Sequence, residues 1–158
     1  MLEHVTNNAE DTKALGMKIG SIAKPGLIVT LNGDLGVGKT VLARGIARGL
    51  GICEPITSPT FTILHQYNGR LPLYHFDMYR LVDEDEIYEL GFEEFIYGDG
   101  VAVIEWPENM GALHPEEYVE INIARADGDD MRIMDISFVG DEFTWLKEEL
   151  IKYVSFCD

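Results

Sequence analysis

Gly33-Asp34-Leu35-Gly36-Val37-Gly38-Lys39-Thr40 fits the pattern G-x-x-x-x-G-K-[ST] at every fixed position. Each residue type answers a need of phosphate chemistry. Gly33, Gly36 and Gly38 let the backbone curl until successive N–H groups point into one concavity. A helix that follows adds its own N-terminal N–H groups and the positive end of its dipole. Lys39 brings a full positive charge to the β- and γ-phosphates. The Thr40 hydroxyl suits Mg²⁺, a hard ion that takes oxygen ligands and keeps several waters. Asp34, Leu35 and Val37 fill positions read only through the backbone. The segment reads as a nucleoside triphosphate site, and the bland alternative is a glycine-rich turn with an incidental Lys-Thr.

Such a loop needs carboxylates to hold Mg²⁺ and position an attacking water. Glu105 closes the apolar run Val101-Ala102-Val103-Ile104, and Asp77 ends Leu73-Tyr74-His75-Phe76. Both are expected at the carboxyl edge of a sheet, where ligands bind in open α/β folds. Each is otherwise an ordinary carboxylate at a strand end. Ser58-Pro59-Thr60-Phe61-Thr62 is a hydroxyl-rich turn: a γ-phosphate sensor of the switch kind, or a proline loop with a capping serine. His75 is expected to be a sheet side chain rather than a base. Trp106 is either strand-end core or a residue that moves with nucleotide state or contacts a partner, and Trp145 is expected in the core.

The elements that must hold these residues follow from periodicity and turn chemistry. Helices are expected at Asn8–Ile22, capped by Asn7 or Asn8, at Thr40–Leu50, at Glu84–Leu90 with a broken continuation to Phe95, and at Glu142–Tyr153. Leu27–Leu31 and Val101–Glu105 are apolar throughout, as strands covered on both faces are. Thr60–Tyr67 and Leu71–Asp77 flank Asn68-Gly69, a hairpin signal, with Pro72 expected to make the second strand an edge. Tyr118–Ala124 and Met131–Val139 form a second hairpin around Asp127–Asp130. The fold class is therefore α/β: a P-loop NTPase-like mixed β-sheet with flanking helices and two β-hairpins, one domain over residues 1–158.

Composition narrows the function. Twelve Lys+Arg against 28 Asp+Glu leave a net charge of −16, which argues against gripping a nucleic-acid backbone or an anionic membrane directly. An anionic ligand must be held by a local, preorganised site. The polar N-terminus resembles no secretory signal, no apolar run is long enough to span a bilayer, and Cys53 and Cys157 match no metal spacing, so a cytoplasmic protein with reduced thiols is expected. Asp83 to Glu94 holds seven acids in twelve residues, either a solvated face or a docking surface for a basic partner.

GDLGVGKT, SPTFT, YHFDMYRL and VIEW, in that order and spacing, resemble the TsaE family of bacterial tRNA threonylcarbamoyladenosine biosynthesis ATPases, also called the YjeE family. The likeness runs from about Thr6 to the second hairpin. It implies an ATPase using ATP and Mg²⁺, weak alone and stimulated by partners. Those partners are TsaD- and TsaB-type proteins of the threonylcarbamoyl-transferase complex, which modifies adenosine 37 in tRNAs reading codons that begin with A. The tRNA contact is then indirect, through the complex. The resemblance also places Lys39, Asp77 and Glu105 in catalysis, Thr40 on the metal with Glu105, Ser58, Thr60 and Thr62 on a switch-like segment, Arg132 on a ligand-binding arginine, and Thr6–Thr12 near the adenine. Which of Asp77 and Glu105 touches the metal stays open. Neither Arg44 nor Arg48 is well placed as a finger over the γ-phosphate, so a contribution in trans is expected. The competing functions are a small-metabolite kinase and a nucleotide-sensing switch; with no N-K-x-D guanine reader, adenine is favoured over guanine.

Overall fold

A computed structural model describes residues 1–81 and 85–157. In chain order these residues form β1 (Leu2–Thr6), α1 (Ala9–Ile22), β2 (Ile28–Asn32), α2 (Lys39–Gly49), β3 (Leu64–Asn68), β4 (Pro72–Asp77), α3 (Asp85–Glu89), α4 (Glu93–Ile96), β5 (Val101–Glu105), β6 (Tyr118–Arg125), β7 (Arg132–Val139) and α5 (Thr144–Cys157). A 3₁₀ segment, Pro107–Leu113, follows β5. Asp83 and Glu84 of the acidic run, and the Cys157 side chain, lie outside the described residues. No helix among the described residues is long and apolar enough to cross a membrane.

One mixed sheet takes the order β1-β7-β6-β2-β5-β4-β3. The neighbours β6, β2, β5 and β4 run parallel, and β3, β7 and β1 join antiparallel. All five residues of β5 are buried, as are the first four of β2, which is why both runs are apolar without alternation. The loops that follow β2, β4 and β5 leave the carboxyl ends of these central strands, the edge at which ligands bind in open α/β sheets.

Three sequence expectations change. β1 was not foreseen, because its inward positions are His4 and Thr6; buried polar residues hide the alternation that marks a strand. β4 is internal and β3 is the edge. Pro72 is tolerated because pairing with β5 begins one residue later, at Leu73↔Val101. The first hairpin strand starts at Leu64 rather than Thr60, because Ile63 takes φ 68° and its N–H bonds to Pro59 O at 2.7 Å, turning the chain.

The helices α1 and α2 meet backbone to backbone. Gly16 and Gly20 on α1 face Gly45 and Gly49 on α2, and a Cβ at Gly16 would stand 2.5 Å from the Leu42 carbonyl oxygen. Asn8 caps α1 by accepting from the Asp11 N–H at 2.8 Å. Arg70, in the β3–β4 turn, donates to Gly20 O at 2.8 Å and Ala23 O at 2.9 Å, supplying the cation that the last turn of α1 lacks.

Candidate functional site

The loop between β2 and α2 is shaped by glycine. Gly33 takes φ +151°, and a Cβ there would meet Ile123 O at 2.6 Å and the Val37 side chain at 2.7 Å. Gly38 takes φ +121° directly before α2 with nothing near its absent side chain, so conformation alone demands glycine. The loop forms one wall of a cleft of about 310 Å³. Lys39 and Thr40 lie on that wall, with Asp77, Glu105, Ser58 and Thr60 across from them. The sheet brings the two acids together: β4 and β5 are parallel, with Asp77 opposite Glu105.

Lys39 is 5% exposed. Its Nζ donates to Gly33 O at 2.8 Å and sits 3.8 Å from the centre of the Trp106 ring. Burial pulls the ammonium below the usual lysine value, while the charges of Glu105, Asp77, Glu108 and Asp34 oppose that fall. Trp106 reaches the lysine through a left-handed backbone, φ 57°, which is costly for a bulky residue and turns the chain sharply off β5. Its ring also packs on Tyr79 at 5.0 Å. Asn109 Nδ2 donates to Met78 O at 2.8 Å, fastening the 3₁₀ segment to the exit of β4.

Asp77 is a clamp. Its Oδ2 accepts from Ser58 Oγ at 3.0 Å and Thr60 Oγ1 at 3.2 Å, and its Oδ1 from the Tyr79 N–H at 2.9 Å. The hydroxyl-rich turn is thereby tied to the sheet edge beside the cleft; Thr62 is exposed and outside the clamp. Glu105 is held differently: its Oε2 accepts from His75 Nε2 at 2.6 Å, inside the sheet.

The second hairpin grips the loop from outside. Arg132 Nε donates to Val37 O at 2.7 Å, and Arg125 to Gly36 O at 3.2 Å. Arg132 also lines a smaller cavity of about 140 Å³ with Ala9, Thr12, Val41 and Asp130. Both cavities share Gly36, Gly38 and Val41, so the N-terminal segment, Arg132 and the loop converge on one continuous surface. Arg44 and Arg48 instead donate to carbonyls of Ile56, Ile52 and Glu54.

Sequence reasoning missed the bond from His75 to Glu105, the Arg125 contact and the lysine–tryptophan stack. Only the first had a signal. His75 and Asp77 are two apart on a strand and share a face, so pairing Asp77 with Glu105 puts His75 diagonal to that acid. The donor set suits a hard cation: Thr40 offers a hydroxyl and Glu105 a carboxylate to one cleft.

A family model described as "Threonylcarbamoyl adenosine biosynthesis protein TsaE" matches residues 6–134. The chain is 46% identical over 149 residues to the tRNA threonylcarbamoyladenosine biosynthesis protein TsaE of Bacillus subtilis, covering 94% of this chain and 92% of that one. To the protein of the same name from Treponema pallidum it is 46% identical over 125 residues, 78% of this chain and 93% of that one. The crystal structure of Bacillus subtilis YdiB superposes with a TM-score of 0.83 at 41% identity, covering 96% of this chain and 95% of that one.

Proposed function

Because the chain belongs to the TsaE family, whose members take part in tRNA threonylcarbamoyladenosine biosynthesis, we propose that its cleft binds and hydrolyses ATP in the service of that modification. The observation that carries the reading is one cleft lined by Lys39 and Thr40 of a glycine-shaped loop together with Asp77 and Glu105. The loop amides and the first turn of α2 receive the phosphates. Lys39 exchanges its hold on Gly33 O and the Trp106 ring for the β- and γ-phosphate charge. The smaller cavity beside Thr12 and Arg132 takes the adenosine end.

Thr40 and Glu105 are the residues that would hold Mg²⁺, which supplies charge neutralisation at the phosphate oxygens when bound. Asp77 orients the attacking water. Its carboxylate already accepts two hydroxyls of the turn and the Tyr79 N–H, so a water on its remaining Oδ1 lone pair shares that carboxylate with the turn and couples hydrolysis to it. No arginine on α2 points to the γ-phosphate side, since Arg44 and Arg48 are spent on backbone carbonyls. That supports a helper supplied in trans by TsaD- and TsaB-type proteins of the threonylcarbamoyl-transferase complex, which carry the tRNA, in the cytoplasm.

The test is ATP hydrolysis by the protein alone, then with purified partner proteins and tRNA. The expected result is slow turnover alone, stimulation by the partners, and loss of both turnover and nucleotide affinity in Lys39→Ala. A flat rate with normal ATP binding would replace hydrolysis by nucleotide sensing. Phosphate transfer to a small metabolite would make the protein a kinase.

A further inference from the structure

We propose that His75 is a positioning residue, holding Glu105 so that its carboxylate serves the cleft instead of collapsing onto Lys39. The inference rests on the ATPase reading above and adds a residue to it. His75 is fully buried, and its Nε2 lies 2.6 Å from Glu105 Oε2. A carboxylate only accepts hydrogen bonds, so Nε2 carries the proton, and the bond is a short one to a charged acceptor. Nδ1 is buried with no hydrogen-bond partner among the described residues. Filling the sheet alone does not call for histidine, because a leucine fills the same space without orphaning a polar atom. Among the described residues the ring's one hydrogen-bond partner is the acid that lines the cleft.

The position of Lys39 gives this bond its purpose. Lys39 and Glu105 line the same cleft, both about 95% buried, and opposite charges in such a place attract strongly. They form no ion pair among the described residues. The lysine takes a carbonyl and an aromatic face, and the glutamate takes the histidine. With Oε2 committed to the ring, the work of Glu105 in the cleft falls to Oε1. Register explains the reach: His75, Asp77, Val103 and Glu105 lie on one face of two parallel strands. His75 is thus one step behind Glu105 along the strands, fully buried and set back from the residues that line the cleft.

The experiment is steady-state ATP hydrolysis by the partner-assembled complex with His75→Leu, His75→Gln, Glu105→Gln and the double variant His75→Leu/Glu105→Gln. Loss of one charge-assisted hydrogen bond should lower kcat on the order of 30-fold in His75→Leu, with KM for ATP changed less than about threefold. Gln, whose amide N–H stands near the place of Nε2, should restore kcat to within about threefold. The double variant should be no slower than Glu105→Gln alone, because the two residues act as one unit. If His75→Leu does not fold, His75→Met removes the same donor with a more adaptable side chain. Parental kcat in a folded donor-less variant, failure of Gln to rescue, or additive losses in the double variant each overturn the role of His75 alone. Absence of Lys39-dependent turnover in the parent would overturn the ATPase reading, and this role with it.

Discussion

Replacing Asp77 by alanine should free the hydroxyl-rich turn while leaving the sheet standing. Asp77 is 4% exposed and accepts three hydrogen bonds, two from the turn and one from the Tyr79 N–H. Hydrogen bonds to a charged group contribute about 1.5–3 kcal/mol each. The loss is partly recovered, because Ser58 Oγ and Thr60 Oγ1 are already 3.1 Å apart and half-buried, so they can pair with each other and with water. Taking one full bond and parts of two others gives a net loss of about 2–4 kcal/mol. That loss falls on a turn that Asp77 N–H to Ile63 O also joins to the sheet, while Ile63 N–H to Pro59 O only closes the turn on itself. Hydrogen exchange should therefore speed up by about 30-fold or more at the Ile63 amide and its neighbours. Amides of β5 should keep the parental protection. Hydrolysis in the assembled complex should fall further than ATP affinity. Parental exchange at Ile63 in folded Asp77→Ala would refute the clamp, and uniform acceleration across β5 would show that Asp77 supports the whole sheet instead.

Other perturbations separate the remaining parts. Gly20→Ala should lower Tm: helix propensity gains about 1 kcal/mol, but the new Cβ strikes the Ile46 carbonyl oxygen and stands 3.0 Å from the Gly49 Cα. Backbone cannot yield as a side chain does, so overpacking of about 1–3 kcal/mol or more prevails; an unchanged Tm in calorimetry would show that the helices part freely. Arg70→Met removes the cation from the end of α1 and should cost on the order of 1 kcal/mol, read as about 2–4 °C in Tm; no shift would mean that water replaces it fully. In a Trp145→Phe background, saturating ATP should change Trp106 emission, because Lys39 leaves the ring for phosphate. Emission insensitive to ATP would show that the stack persists in the bound state.

Much of the geometry of the candidate site was legible because the loop pattern ties residue type to spacing. Gly33 to Thr40 could be read in one dimension, Val101–Ile104 announced a covered strand ending in Glu105, and Asp77 was expected at the same carboxyl edge although its strand was expected at the margin of the sheet. The mixed α/β sheet followed from the same runs and the two hairpins. What escaped depended on contacts between distant segments. β1 hides because the residues it buries are a histidine and a threonine. The internal place of β4 depends on a one-residue offset in pairing that Pro72 does not announce. His75 acquires its meaning only once β5 lies beside it. The Trp106 stack on Lys39 needs a left-handed backbone that no local pattern required.

The glycine seam between α1 and α2 gives the cleft one stiff wall and one yielding wall. With backbone against backbone at Gly16, Gly20, Gly45 and Gly49, neither helix can slide or tilt without carbonyls colliding. The first turn of α1, with Ala9 and Thr12, is thereby fixed at a set distance from the first turn of α2, with Lys39 and Thr40. On the proposed reading, the base end and the phosphate end of a nucleotide would be measured against a single rigid gauge. The opposite wall, Ser58 to Thr60 and Trp106, is held by hydroxyl bonds and ring contacts that can be exchanged one at a time. On the proposed ATP-binding reading, a change of shape would be confined to that yielding side, and a partner would sense the nucleotide there.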